Sequence, residues 1–265
     1  MERAALDRVA GMVRDLPALP LVAQEALALL SNPTTEPEEL QAVLSRDPAL
    51  ALSVLRLANS AFYRRKRAIS TLASAILLLG FKTIHTLILS SAVHRVLAAA
   101  GPHANLLWEH CFAAGVACRE LRRRVEGHGD AAEEAFLAGL FHDIAKGVMA
   151  AKFPRVYARS IGTAGELAQL GFHHGHLGQV LLEQWEIPVA LADAVGTHHD
   201  EEPSELGCLA AVADWLAWSV APGIGTEVPP VPVQALAGLG PAADALDDLR
   251  DRLASSLAEE RSGHG

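Results

Sequence analysis

Aromatic residues make up only 5% of this 265-residue chain, which leaves it short of the β-branched and aromatic mixture that sheets favour. Cysteine is scarce as well. Cys111, Cys118 and Cys208 form an odd set without metal-ligand spacing, which excludes a disulfide framework and a thiolate metal cluster and fits a reducing compartment. Positive charge is outweighed: 22 Lys and Arg face 31 Asp and Glu, for a formal charge of -9. A surface of that sign does not attract nucleic acid or an anionic membrane at long range. No apolar run is long enough to cross a bilayer uninterrupted, since the most apolar region is broken by Gly80, Lys82 and His85, and Met1–Arg8 has no signal-like apolar stretch. These absences predict a cytoplasmic protein that contacts neither nucleic acid nor membrane.

What the chain has in quantity is Ala and Leu within a 51% hydrophobic composition, enough for a large helical core. The segment Asp15-Leu-Pro-Ala-Leu-Pro20 separates an initial amphipathic helix from one over residues 21–31. Thr35 and Glu38 have the spacing of a capping box. Asp47-Pro48 places an N-cap before a first-turn proline, and Asn59-Ser60 closes the helix that follows. Ser70 begins a short apolar helix ended by Gly80, and a longer one continues to about residue 99. Helical periodicity returns over 103–221, Pro222 to Pro241 reads as a connector, and a last helix covers 242–258. The expected fold is all-α. Residues 1–100 form an N-terminal helical lobe, 101–221 a helical lobe with the metal site, and 222–265 the connector and C-terminal helix.

The second lobe carries the chemistry. The run Gly139-Leu-Phe-His-Asp-Ile-Ala-Lys146 interrupts an apolar helix with His142 and Asp143, which on a continuous helix point about 100° apart. Similar settings surround His110, His174, the pair His198-His199 and Asp214. An isolated buried carboxylate is costly, so Asp143 and Asp214 each need a cation or strong hydrogen bonds. Taken singly, any of these side chains is explained by a backbone hydrogen bond or a helix cap; together they point to a metal site. The expected ligands are His110, His142, Asp143, His174, His198, His199 and Asp214. Imidazole and carboxylate without thiolate suit divalent iron, manganese or zinc, as one ion or two. Asp143 is placed to bridge two ions and Lys146 to neutralise a phosphate or protonate a leaving group, which makes Asp143 and Lys146 the candidate catalytic residues. His85, His94, His103, His128, His173, His176 and His264 read as surface or core residues. The basic runs Arg64–Arg67 and Arg119–Arg124 read as solvated charge, and Trp108, Trp185, Trp215 and Trp218 as packing.

His110, His142, Asp143 and Asp214 resemble, in order, the ligands of the HD superfamily of metal-dependent phosphohydrolases. His174, His198-His199 and Lys146 resemble the additions found in cyclic di-GMP phosphodiesterases of the HD-GYP type. Two positions depart from the latter: Leu106 stands where those enzymes with three metals carry a glutamate, and Asp200-Glu-Glu-Pro-Ser replaces their Gly-Tyr-Pro segment. Leu16-Pro-Ala-Leu-Pro20, Arg46-Asp-Pro-Ala-Leu50, Leu55-Arg-Leu-Ala-Asn-Ser60, Ala75-Ile-Leu-Leu-Leu-Gly80 and Trp185-Glu-Ile-Pro188 are similar to the HDOD domain, over roughly residues 12–220. That resemblance implies a bacterial signalling or regulatory protein that acts through a protein partner, with a retained metal site and a nucleotide or phosphoester as an alternative ligand. The HD ligands imply the other reading, a metal-dependent phosphohydrolase acting on a nucleotide or cyclic dinucleotide. Oxygen or redox chemistry at a di-iron site is a third.

Overall fold

The computed structural model describes residues 16–60, 63, 68–126, 130–157, 162–224, 232–238 and 246–263. The expected first helix, the Arg64–Arg67 run, His128 and His264 lie outside them. The fold is all-α, and no strand occurs among the described residues. The chain divides into two compact units, Ala18–Val93 and His94–Gly265 with Met1–Pro17.

In the first unit, α1 (Leu21–Leu30), α2 (Pro37–Leu44) and α3 (Pro48–Ala58) precede α4 (Leu72–Ala98), which runs on into the second unit. The buried side chains are apolar and recur at helical spacing: Ala23 and Ala26 on α1, Leu40 and Leu44 on α2, Leu50, Val54 and Ala58 on α3. Each fully buried Leu or Val contributes about 1.5–3 kcal/mol. The helix punctuation is local. Asp47 accepts from the backbone N–H groups of Ala49 and Leu50, both at 3.1 Å. At the end of α3, Asn59 donates to the carbonyls of Leu55 and Ile69 and accepts from Ile69 N–H, pinning the chain's return.

Two expectations need correction. The capping box of α2 is built by Glu36 and Glu39, one position after the expected pair. Thr35 instead donates to Leu29 O at 2.6 Å and so closes the end of α1. At α4 the side chain that accepts from the first turn is Thr71, from Ser74 N–H at 3.3 Å, and not Ser70. Gly80 closes the first stretch of α4 as expected: its φ of 75° and ψ of 161° break the helical path, and a second, longer stretch of helix follows to Ala98. A left-handed φ of this kind favours glycine. By length and composition α4 is apolar enough to cross a membrane, with a mean hydropathy of 1.8.

The second unit is built on the antiparallel neighbours α5 (Ala104–Glu126) and α6 (Asp130–Phe141), with α12 (Glu205–Trp218) laid against both. Gly139 allows the close approach of α6 to α5, because a Cβ there would lie 2.4 Å from Ala114 O. The short α7 (Ile144–Lys152) and α8 (Pro154–Tyr157) are followed by α9 (Thr163–Leu170), α10 (His174–Gln184) and α11 (Val189–Thr197). Of these, α10 packs on α7 and α11, and α11 on α6 and α12. The Pro222–Pro241 stretch, expected as plain connector, contains α13 (Val233–Gly238). The last helix, α14 (Leu246–Gly263), runs on past its expected end at residue 258 and packs on α5. There Arg124 reaches Asp248 at 3.0 Å, while Arg122 reaches Glu205 on α12 and Arg123 reaches Glu120. These pairs account for much of the basic run on α5.

Candidate metal centre

The helical path stops at the His142-Asp143 doublet. α6 ends at Phe141, α7 starts at Ile144, and the two residues between them form a turn. The expectation of two side chains diverging from one continuous helix is therefore corrected: the break lets both face the same interior. Asp143 occupies the N-cap position of α7, yet its carboxylate makes no capping bond. It turns inward instead, and Lys146, one turn further on, donates to its Oδ2 at 2.7 Å.

All the sequence-derived candidates come together here. His110 comes from the first turns of α5, His174 from the first position of α10, His198 and His199 from the end of α11, and Asp214 from the middle of α12. They fall into two groups, His110, His142 and Asp214 in one and His174, His198 and His199 in the other, each with its ligand atoms within 4.8 Å of one another. Asp143 lies between them. Its Oδ2 is 3.7 Å from His110 Nε2 and 3.5 Å from His142 Nε2, while its Oδ1 is 3.0 Å from His174 Nε2. All of these side chains except His199 are buried.

The tautomers follow from the hydrogen bonds. A carbonyl oxygen can only accept, so each imidazole nitrogen facing one carries the proton. His110 Nδ1 donates to Ala221 O (2.8 Å), His142 Nδ1 to Gly139 O (2.6 Å) and His198 Nδ1 to Val195 O (2.7 Å). His174 Nδ1 donates to the Glu166 carboxylate at 2.7 Å. Whenever these rings are neutral, each points its Nε2 lone pair into the shared interior. Those lone pairs meet further acceptors: His110 Nε2 lies 2.9 Å from Asp214 Oδ1 and 3.3 Å from His142 Nε2, and His174 Nε2 lies 3.0 Å from His199 Nε2. His198 Nε2 is buried and has no hydrogen-bond partner. A buried lining made almost wholly of acceptors is satisfied only by protons or by a cation.

The charges agree. Asp143, Asp214 and Glu166 are buried with Lys146 as the one buried cation among the described residues, so the interior is short of positive charge when its imidazoles are neutral. Burial alone would push the Asp143 and Asp214 carboxyls upward. Lys146, His142 and His174 outweigh it at Asp143, and His110 and His142 do so at Asp214, holding both carboxyls well below the ordinary range. Burial, then the neighbouring imidazoles, lowers His198 and takes His199 down to about 3. At His174 burial is overcome by Glu166 and Asp143, which lift it to about 9. Lys146 likewise stays charged against its burial because of Asp143. The residues present thus fit a divalent ion, or two: imidazole and carboxylate donors, Nδ1 protons fixed from behind, and three buried carboxylates beside one buried lysine, whose balance protons or a cation must complete.

Glu166 and Tyr157 were not foreseen. Glu166 is fully buried and accepts from Tyr157 OH (2.5 Å), His174 N–H (2.8 Å) and His174 Nδ1. Although burial opposes ionisation, His174 and these hydrogen bonds hold its carboxyl at about 2. Ala221 O, the anchor of His110, also went unnoticed because a backbone carbonyl leaves no mark in sequence. His173, His176 and Asp200 form a further cluster at the edge, but His173 Nδ1 accepts from Gly175 N–H to cap α10, so the proton of its neutral ring sits on Nε2. That tautomer is unsuited to binding a metal through Nε2. Among the tryptophans, Trp185 donates to Pro17 O at 2.8 Å and Trp218 meets the His110 ring edge-on, which makes Trp218 a wall of the site.

An all-helical protein whose buried histidines and aspartates converge from separate helices belongs to a narrow class. The HDOD domain model matches residues 16–201, and the chain belongs to the HDOD domain family. A solved HDOD domain protein of unknown function from Geobacter sulfurreducens is similar at 21% identity, covering 97% of this chain and 96% of that one, with a TM-score of 0.73. A candidate signal transduction protein from Marinobacter aquaeolei is 21% identical over 96% of this chain and 65% of its own, with a TM-score of 0.70. A candidate metal-dependent phosphohydrolase from Shewanella amazonensis is 18% identical over 97% of this chain and 100% of its own, with a TM-score of 0.63. At these identities the likeness shows the fold. An uncharacterized protein of Treponema pallidum is 22% identical over 205 residues, 72% of this chain but 39% of that protein. The chain thus spans about two fifths of the length of the curated relative it matches.

Proposed function

We propose that this chain is an HDOD signalling protein that holds one or two divalent ions, iron, manganese or zinc, in the site formed by His110, His142, Asp143, His174, His198, His199 and Asp214. It works by binding, with a protein as its main partner and a nucleotide or phosphoester as the alternative ligand, and the cytoplasm is its expected location. The observation that carries the metal is the convergence of the Nε2 lone pairs on Asp143 and Asp214, with His198 Nε2 left without a hydrogen-bond partner. The HDOD family match supports the signalling role. Elemental analysis of protein purified without added metal, then reloaded with each ion, should find at least one equivalent. Protein that stays metal-free after reloading with iron, manganese and zinc overturns the reading.

A second reading, a metal-dependent phosphohydrolase, has its own observation: Asp143 directs one oxygen toward each group, and Lys146 brings a charged ammonium to its Oδ2. Bound ions would supply Lewis acidity and a water ionised at neutral pH. The chain's own part would be to orient Asp143 through Lys146 and to place that ammonium where a phosphate's charge needs neutralising. Cyclic di-GMP is the less favoured substrate. Leu106 is 48% exposed on the turn before His110, and the residues after His199 lead to Ser204, the N-cap of α12, without a Gly-Tyr-Pro segment. Turnover of a nucleotide or cyclic dinucleotide that His142→Ala abolishes would establish this reading. A metal-loaded protein inert across such a panel removes it.

A further inference from the structure

The two groups of ligands are supported in different ways. His110 and His142 are backed by backbone carbonyls, and their group contains its own carboxylate in Asp214. The group of His174, His198 and His199 contains no carboxylate, and His199 is part-exposed. Its added negative charge stands one imidazole away, in Glu166. That carboxylate is not adventitious: it is fully buried, and Tyr157 OH, His174 N–H and His174 Nδ1 all donate to it. An ionised carboxylate in that place orients the ring, fixes the proton on Nδ1 and makes Nε2 a stronger donor.

Building on the metal-binding reading above, we propose that Glu166 is a positioning residue for His174. The two ion positions are therefore inequivalent, the one at His174, His198 and His199 depending on Glu166 and the one at His110, His142 and Asp214 depending on Asp214. Tyr157 serves the first position by holding the Glu166 carboxylate in place. Sequence gives Glu166 no such role, since it lies in the first turn of α9, eight residues before His174 and separated from it by the end of that helix and the left-handed turn at Gly171.

The test is a competition titration of the metal-stripped full chain with Zn2+ against a chelator, repeated with Co2+ so that absorption reports the ligands of each step. The wild type should take up two ions in two separable steps. Glu166→Gln should weaken one step by roughly 10- to 100-fold and leave the other in place. Asp214→Asn should weaken that other step, and Tyr157→Phe should lower the Glu166-dependent step by a smaller factor. Circular dichroism of the stripped variants checks folding; should the Glu166→Gln chain not fold, Tyr157→Phe carries the same test. The proposal falls if Glu166→Gln and Asp214→Asn move the same step, if Glu166→Gln moves neither, or if the wild type takes only one ion. A wild type that takes none overturns the proposal together with the metal-binding reading, whereas the other outcomes leave that reading standing.

Discussion

Asp47 and Asp143 both stand at the N-cap of a helix, and the two use that position in opposite ways. In the Ala18–Val93 unit, Asp47 is partly exposed and accepts from the N–H groups of Ala49 and Leu50, as the first turn of a helix demands. In the second unit, Asp143 is fully buried, makes no capping bond and turns to Lys146 and the imidazoles. The contrast extends to the units as wholes. Among the described residues, the buried polar side chain of the first unit is Thr35, while His110, His142, Asp143, Lys146, Glu166, His173, His174, His198 and Asp214 are all buried in the second. Both units are packed helices with apolar cores, but only the second bears the cost of so many desolvated polar groups, and those groups surround one shared interior. Burial of charge without a stability motive is a mark of function.

The largest effect expected from breaking this contrast is at Asp143. Ion at a thousand times its dissociation constant stabilises a folded protein by about 4 kcal/mol, which for a domain of this size raises the melting temperature on the order of 10 °C. Wild-type protein should show such a rise when iron, manganese or zinc is added. Asp143→Ala should remove most of it, since both groups of ligands lose their shared carboxylate. Melting followed by circular dichroism, with and without metal, measures this. An Asp143→Ala chain whose metal-induced rise equals the wild type's would show that Asp143 is not shared.

Gly139→Ala ranks next. The added methyl would sit 2.4 Å from Ala114 O, a backbone atom that cannot swing aside, so α5 and α6 must separate. Overpacking of this kind costs about 1–3 kcal/mol. The same shift moves Gly139 O, which orients His142, so metal affinity should fall along with stability. Retained affinity in a destabilised variant would show that the His142 ring is held by its other neighbours.

How much of this could be read from residues alone follows from the same comparison. His142, Asp143 and Asp214 were legible because polar groups inside apolar helical runs contradict the pattern around them. His110, His174 and His198-His199 gained meaning only as a set. Glu166 was not legible. Its helix is short, its neighbours Gln169 and Leu167 are exposed, and the fold alone brings its carboxylate under His174. The turn at the doublet was equally hidden, because Phe141 and Ile144 continue the apolar spacing straight across it. In the first unit the helices were legible and so was the Asp47 cap, while the caps of α2 and α4 were off by a residue. Thr35, Glu36, Ser70 and Thr71 are all adequate caps by type, and tertiary contacts such as Thr35 to Leu29 O choose between neighbours.

The smallest effect belongs to Asp47. Removing an N-cap carboxylate costs about 1 kcal/mol, and Pro48 at the first helical position preserves the backbone geometry that the cap requires. Asp47→Ala should therefore lower stability by about that amount in urea denaturation while leaving metal stoichiometry and affinity unchanged. The two aspartates then separate cleanly: one substitution alters stability without altering metal, and the other removes most of the metal response. Loss of metal binding in Asp47→Ala would break the comparison, because it would mean that the first unit's helix ends contribute to a site whose described ligands all lie in the second.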